Sequence, residues 1–129
     1  MVSDVNLNVI DVYQKSFPDI HIGYSGHELG YVPTLGAVAK GAKVIERHFT
    51  LDKTMKGSDH ACSLNPAEFA EMVQSIRILE KSMGVPGKTF LPCEKACFSK
   101  LGKSVVTGRK LEANHILNLE DLKVKVSSI

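Results

Sequence analysis

The chain has 129 residues, a length that suits one domain. With 43% hydrophobic and 23% charged residues, wholesale disorder is excluded, and the net charge of +2 gives no strong pull toward polyanions. No apolar run reaches the length of a membrane span, and the start Met1-Val-Ser-Asp-Val-Asn6 lacks the basic and apolar stretches of a secretory signal. These features read as a soluble, cytoplasmic protein.

In chain order, Val5, Val9, Val12 and Tyr13 recur near helical spacing, predicting a helix over 4–17 that Pro18-Asp19 ends. Ile20 to Ser25 reads as a short strand, Val32 to Lys40 as an Ala-rich helix stopped by Gly41, and Lys43 to Phe49 as a second strand. The order helix, strand, helix, strand implies an α/β fold with parallel pairing and right-handed crossovers. Leu51 to Leu64 is a charged loop, placed where α/β proteins carry function. Pro66 to Met83 has the strongest helix signature: Asn65 as N-cap, Pro66 at the first position, Glu68 where a capping-box acid belongs, and Gly84 at the end. Its stripe of Phe69, Met72, Val73, Ile76, Leu79 and Met83 is expected to be core.

Residues 85–98 hold two prolines and a glycine without periodicity and read as a linker. Ser104 to Val106 and Leu122 to Val126 read as short strands, with a turn and a short helix expected between them over 111–122. This C-terminal piece is too small to hold a core alone. Residues 1–87 carry 8 basic and 10 acidic side chains and residues 88–129 carry 8 and 4, so the charge is −2 then +4. The basic excess reads as a solvated face or a surface for an anion or a partner subunit. No aromatic–basic interleaving points to nucleic acid. An odd count of cysteines, Cys62, Cys93 and Cys97, argues against a disulfide framework; the C-x3-C spacing of Cys93 and Cys97 leaves a zinc site as the alternative, with no histidine near in sequence, and reduced, partly buried thiols are the expectation.

Gly23-Tyr-Ser-Gly-His27 and Val44-Ile-Glu-Arg-His48 are two strand-like runs that each end in a histidine, with 20 residues between the histidines. One strand-helix-strand step spans that distance. It would place His27 and His48 at the same end of neighbouring parallel strands, where two imidazoles can hold a divalent metal. A histidine at a strand end is otherwise an ordinary hydrogen-bonded residue, and His21, His60 and His115 are read that way. Glu46, two residues before His48, points to the same face.

These segments, with Phe17-Pro-Asp-Ile20, Thr50-Leu-Asp-Lys-Thr54, Lys56-Gly-Ser-Asp-His60, Leu91-Pro-Cys-Glu94 and Leu101-Gly-Lys-Ser-Val-Val106, resemble the sialic acid synthase family over nearly the whole chain. The resemblance implies a (β/α)8 TIM barrel joined by a linker to a small antifreeze-like (SAF) domain. This chain would match the last two strand-helix units of the barrel (1–84), the linker (85–98) and a partial antifreeze-like domain (99–129). Family groups that grip phosphoenolpyruvate, including a lysine, fall on strands outside it. The implied reaction condenses phosphoenolpyruvate with N-acetylmannosamine, or its 6-phosphate in animals, to N-acetylneuraminate or its 9-phosphate, releasing phosphate. By the same resemblance His27 and His48 are ligands of Mn²⁺ or Mg²⁺, and Ser25 contacts the phosphate of phosphoenolpyruvate. Glu46 is a substrate-binding residue, and Asp59 is a catalytic carboxylate near the metal and the sugar hydroxyls. A homodimer is implied for full-length members. Bacterial members carry Lys-Arg-Pro-Gly where this chain has Lys125-Val126-Ser127-Ser128, so a cross-subunit arginine is replaced here by Val126. Three readings stand open: a synthase segment, a non-catalytic remnant or isoform that binds full-length synthase subunits, and an antifreeze-like binding module.

Overall fold

The computed structural model describes residues 2–126, so Ser127 and Ser128 of the family-variable tetrapeptide lie outside the described residues. The chain divides into two compact units, the first reaching Val85 and the second beginning at Pro86.

In the first unit, α1 (Val9–Ser16) leads to β1 (Gly23–Gly26), α2 (Val32–Ala39), β2 (Val44–Arg47) and α3 (Pro66–Met83). The α/β order and the parallel pairing of β1 with β2 agree with the sequence pattern, in the register Gly23–Val44 to Gly26–Arg47. The first helix is shorter than its periodicity predicts. A 3-10 turn covers Val2–Asp4, and Asn6 then takes φ 46°, a left-handed conformation that asparagine tolerates but a helix does not. The core is small: Ile10, Ala37 and Ala42, backed by Leu7, Ile22, Tyr24 and Ile45. Lys40 Nζ lies 2.6 Å from Asp11 Oδ2, and Gln14 Nε2 donates to the Lys40 carbonyl at 2.9 Å, tying α1 to the end of α2.

α3 has the predicted bounds and cap. Asn65 Oδ1 accepts from the Glu68 N–H and Glu68 Oε2 from the Asn65 N–H, both at 2.9 Å, and Gly84 leaves the helix at φ 59°. Its stripe is not a closed core. Met72 is buried, whereas Val73 and Met83 are exposed. A cavity of about 450 Å³ lies where Phe69, Met72 and Ile76 face Val38 and Ile45. No described helix is long and apolar enough to cross a membrane.

The second unit holds α4 (Lys95–Leu101), β3 (Lys103–Thr107) and β4 (Leu122–Val126), with 3-10 turns at Pro92–Glu94 and Leu119–Asp121. The helical stretch over 92–101 begins inside residues 85–98, which the sequence pattern reads as a linker, and runs three residues past them. Its start is capped by Glu94, whose carboxylate accepts the Leu91 N–H at 2.7 Å. β3 and β4 pair antiparallel from Lys103–Val126 to Thr107–Leu122. Between them Asn114 takes φ 66° in a turn and Leu119–Asp121 forms a short 3-10 helix, in the order turn then short helix that the sequence predicts. Asp121 anchors this unit. Its side chain is almost fully buried and accepts from Arg109, from the Asn118 N–H at 3.2 Å, and pairs with His115 Nε2 at 2.6 Å.

Two outcomes follow. The exposed apolar side chains of α3, together with Val12, Phe17 and Ile20, should drive self-association at micromolar concentration. Sedimentation velocity checks this, and a monodisperse monomer would contradict it. The hydrogen bond with His115, helped by Asn118 and Arg109 and opposed by burial, lowers the Asp121 carboxyl to about 2. Its contribution to stability is therefore complete above about pH 4 and lost as pH falls through about 2. Asp121→Asn should lower the urea midpoint of the second unit at pH 7, and the gap from wild type should close toward pH 2.

Candidate metal centre

Strand alternation sorts the residues at the ends of β1 and β2 onto two faces. Ser25 and Glu46 are register partners, and their side chains meet: Ser25 Oγ donates to Glu46 Oε2 at 2.6 Å. One residue past each strand, His27 and His48 continue the same face, with ring centroids 4.6 Å apart in an edge-to-face arrangement. The loop after β2 returns to this point. Phe49 bridges Leu64 in parallel, with Leu64 N–H on the His48 carbonyl at 2.8 Å. Ser63 Oγ and the Ser63 N–H both hold the Asp59 carbonyl, at 2.7 and 2.9 Å. The Asp59 carboxylate is thereby set against the histidines, Oδ2 lying 3.6 Å from His48 Nδ1.

One ligand atom each from His27, His48 and Asp59 lies within 4.8 Å of the others. Two donors on opposite sides of a metal with bonds of about 2.1 Å stand roughly 4.2 Å apart, so small side-chain rotations close this set around an ion. Two nitrogens and one oxygen fit a divalent transition ion. Mg²⁺, which demands oxygen, fits less well than Mn²⁺. The five residues singled out in the sequence, His27, His48, Ser25, Glu46 and Asp59, lie close together at the strand ends. The structure brings the Asp59 carboxylate as close to the two imidazoles as they are to each other, where the sequence reading gave Asp59 only as a neighbour of the metal. Glu46 Oε1 is 3.9 Å from His48 Nε2.

The opposite face carries a network that sequence reasoning missed. Arg47 and Glu28 form an ion pair with both side chains almost wholly buried. Arg47 also donates to Thr34 Oγ1 at 2.9 Å and to the carbonyls of Glu28 and Cys62, at 2.8 and 3.4 Å. Tyr24 donates its hydroxyl to Glu28 Oε2 at 2.8 Å, and burial, then this bond to a carboxylate, pushes the phenol pKa up. Gly26 makes the room: a Cβ there would sit 2.2 Å from Glu28 Oε2 and 2.7 Å from the Tyr24 hydroxyl. The available signal was the charged pair Glu28 and Arg47, each adjacent to a histidine. His60, read as an ordinary polar residue, bonds through Nδ1 to Thr50 Oγ1 at 2.8 Å and lines a cavity of about 310 Å³ with His48 and Asp59.

The first unit is thus a parallel α/β unit with two imidazoles and a carboxylate converging past its strand ends. The family model described as the NeuB family matches residues 1–88, and the chain belongs to this family, that of the sialic acid synthases. It is 60% identical over 123 residues to N-acetylneuraminate-9-phosphate synthase of Homo sapiens, covering 95% of this chain and 34% of that protein. The chain thus spans about a third of the length of the curated relatives it matches. Among solved structures it is similar to the N-acetylneuraminic acid (sialic acid) synthetase of Leptospira borgpetersenii serovar Hardjo-bovis in complex with citrate. The TM-score is 0.64 at 34% identity, over 74% of this chain and 33% of that one. It is also similar to the spore coat polysaccharide biosynthesis protein spsE of Bacillus subtilis, with TM-score 0.56 and 31% identity, over 93% of this chain and 37% of that one.

Replacing Arg47 by Met leaves Glu28 buried without its cation, and should destabilise the first unit by about 3–5 kcal/mol. The double variant Arg47→Met with Glu28→Leu should recover at least half of that loss, because no buried charge remains. Urea unfolding of the three proteins checks both outcomes; a single variant as stable as wild type would show that the pair is not a structural tie.

Proposed function

We propose that the chain is a segment of a sialic acid synthase that supplies its metal ligands and part of its substrate contacts. The complete protein condenses phosphoenolpyruvate with N-acetylmannosamine 6-phosphate, forming N-acetylneuraminate 9-phosphate and releasing phosphate. The convergence of His27, His48 and Asp59 carries this reading. The 60% identity to a relative named for the 9-phosphate product favours the phosphorylated sugar over the free one. In this reading residues 1–84 are two strand-helix units of a (β/α)8 barrel. Residues 85–98 connect to a partial antifreeze-like domain over 99–129, and the assembled enzyme is a homodimer.

A bound Mn²⁺ supplies Lewis-acid polarisation of the sugar aldehyde. The chain's own residues do the rest of what this corner contributes. His27 and His48 offer ring nitrogens, and Asp59 offers a carboxylate oxygen from a loop pinned by Ser63. Glu46 and Asp59 make the corner anionic, and the cation that His27, His48 and Asp59 would hold would offset that charge toward an anionic substrate. Ser25 and Glu46 form a ready donor–acceptor pair. Ser25 exchanges its bond to Glu46 for a phosphate oxygen, which frees Glu46 to accept from a sugar hydroxyl.

A second reading, a non-catalytic chain that binds full-length synthase subunits, draws support from the exposed face of α3 and the open cavity beside it.

Titration of the chain with Mn²⁺, followed by electron paramagnetic resonance, should give one ion per chain. His27→Ala and His48→Ala should each weaken binding at least tenfold, and Asp59→Asn severalfold. Unchanged affinity in the two histidine variants would remove the site. Phosphate release from both substrates should stay at background for the chain alone, since it carries two of the barrel's strands. Metal-dependent turnover lost in His48→Ala would replace the segment reading with that of a complete enzyme.

A further inference from the structure

Cys93 and Cys97 lie on the continuous helical stretch that opens the second unit. Cys93 is in the 3-10 turn Pro92–Glu94 and Cys97 in the first turn of α4. Glu94 and Lys95 between them both have helical backbone angles, φ −81° with ψ −16° and φ −56° with ψ −45°. The two cysteines are therefore four residues apart on one helical face. Both cysteines are free and exposed, and both line one cavity of about 430 Å³ with Glu94, Phe98, Leu101 and Gly102. The acidic residue beside them does not compete for a ligand: Glu94 is held by Lys88 Nζ at 2.6 Å and by the Leu91 N–H.

We propose that Cys93 and Cys97 form a two-thiolate site for a soft monovalent cation of the Cu(I) type. Magnitudes separate this from a disulfide. Residues four apart on a helix hold their Cβ atoms about 5–6 Å apart, whereas a disulfide needs about 3.5–4.5 Å. A disulfide would have to unwind the start of α4. A two-coordinate ion with bonds of about 2.3 Å places its sulfurs roughly 4.6 Å apart, which the helical spacing meets without unwinding. Ligand chemistry points the same way. Two thiolates with no imidazole or carboxylate partner select a soft ion that accepts two ligands, and leave a tetrahedral Zn²⁺ two ligands short. Binding forms two S–Cu bonds and releases two thiol protons to solvent, with no change of oxidation state at sulfur or copper. The site does not depend on the synthase reading, since it uses none of the residues of the His27–His48–Asp59 centre.

The test is an anaerobic titration of the full chain with Cu(I) against a colorimetric Cu(I) chelator, in a Cys62→Ser background that removes the third thiol. One ion per chain is expected, with affinity at least a hundredfold lower after Cys97→Ser. The decisive variant keeps two thiols and moves one around the helix: Cys97→Ser combined with Lys95→Cys. It should bind at least tenfold more weakly, with unchanged far-ultraviolet circular dichroism confirming that the helix persists. Equal affinity in that variant would mean that any two thiols suffice, and would overturn the site. One ion per two chains would mean that the thiols bridge separate copies, and would overturn it equally.

Discussion

The buried pair of Arg47 and Glu28 is the constraint on which the first unit depends. Arg47 ends β2, Glu28 follows β1, Thr34 belongs to α2, and Cys62 lies in the loop that returns from β2. One guanidinium thus fastens four separate stretches of chain. Such a pair adds little net stability over an apolar one, because desolvation cancels most of the attraction. What it supplies is position. Turning Arg47 inward turns Glu46 and His48 to the opposite face by strand alternation. Drawing Glu28 toward Arg47 likewise sets His27 beside His48. Gly26 is the steric condition for this, since any side chain there would occupy the space of the Glu28 carboxylate.

The loop over 51–64 completes the site by closing back on its own strand. Leu64 is fully buried and forms a parallel bridge with Phe49, so the two ends of the loop are held side by side. Within it, Asp52 accepts the Thr54 N–H at 2.8 Å and the Thr54 hydroxyl at 2.7 Å, which also lowers its pKa. Lys53 reaches Glu68 at 2.6 Å and so links the loop to the cap of α3. A loop with this many internal ties presents Asp59 at a defined place, and that is what lets a carboxylate distant in sequence join two strand-end imidazoles.

The same compact arrangement leaves much apolar surface uncovered. α3 buries Met72 but exposes Val73, Ile78 and Met83, and β1 and β2 form a sheet of two strands. In the second unit the burial that matters is polar. Asp121 is held by Arg109, His115 and Asn118, and this cluster fixes the approach to β4 where few apolar side chains are buried.

Much of this was legible in the residues. The 3.6-residue stripe and the Asn65–Glu68 cap fixed α3, because capping and periodicity are local. The spacing of His27 and His48 announced a strand-helix-strand step, and alternation put Ser25, Glu46 and the two histidines on one face. Local pattern failed where single backbone angles or distant side chains decide. Asn6 shortened an expected helix by adopting positive φ, and the Glu94 cap raised a helix from a stretch read as linker. The stripe of α3 predicted burial, but burial depends on what packs against it. Cys93 and Cys97, expected to be partly buried, are exposed for the same reason. Sequence by itself determined the family, the helices with local caps and the strand-end positions of the two histidines. Only the tertiary structure decided that Asp59 reaches the histidines, that Arg47 and Glu28 are buried together, and which apolar faces stay open, because each of these depends on contacts between residues far apart in the chain.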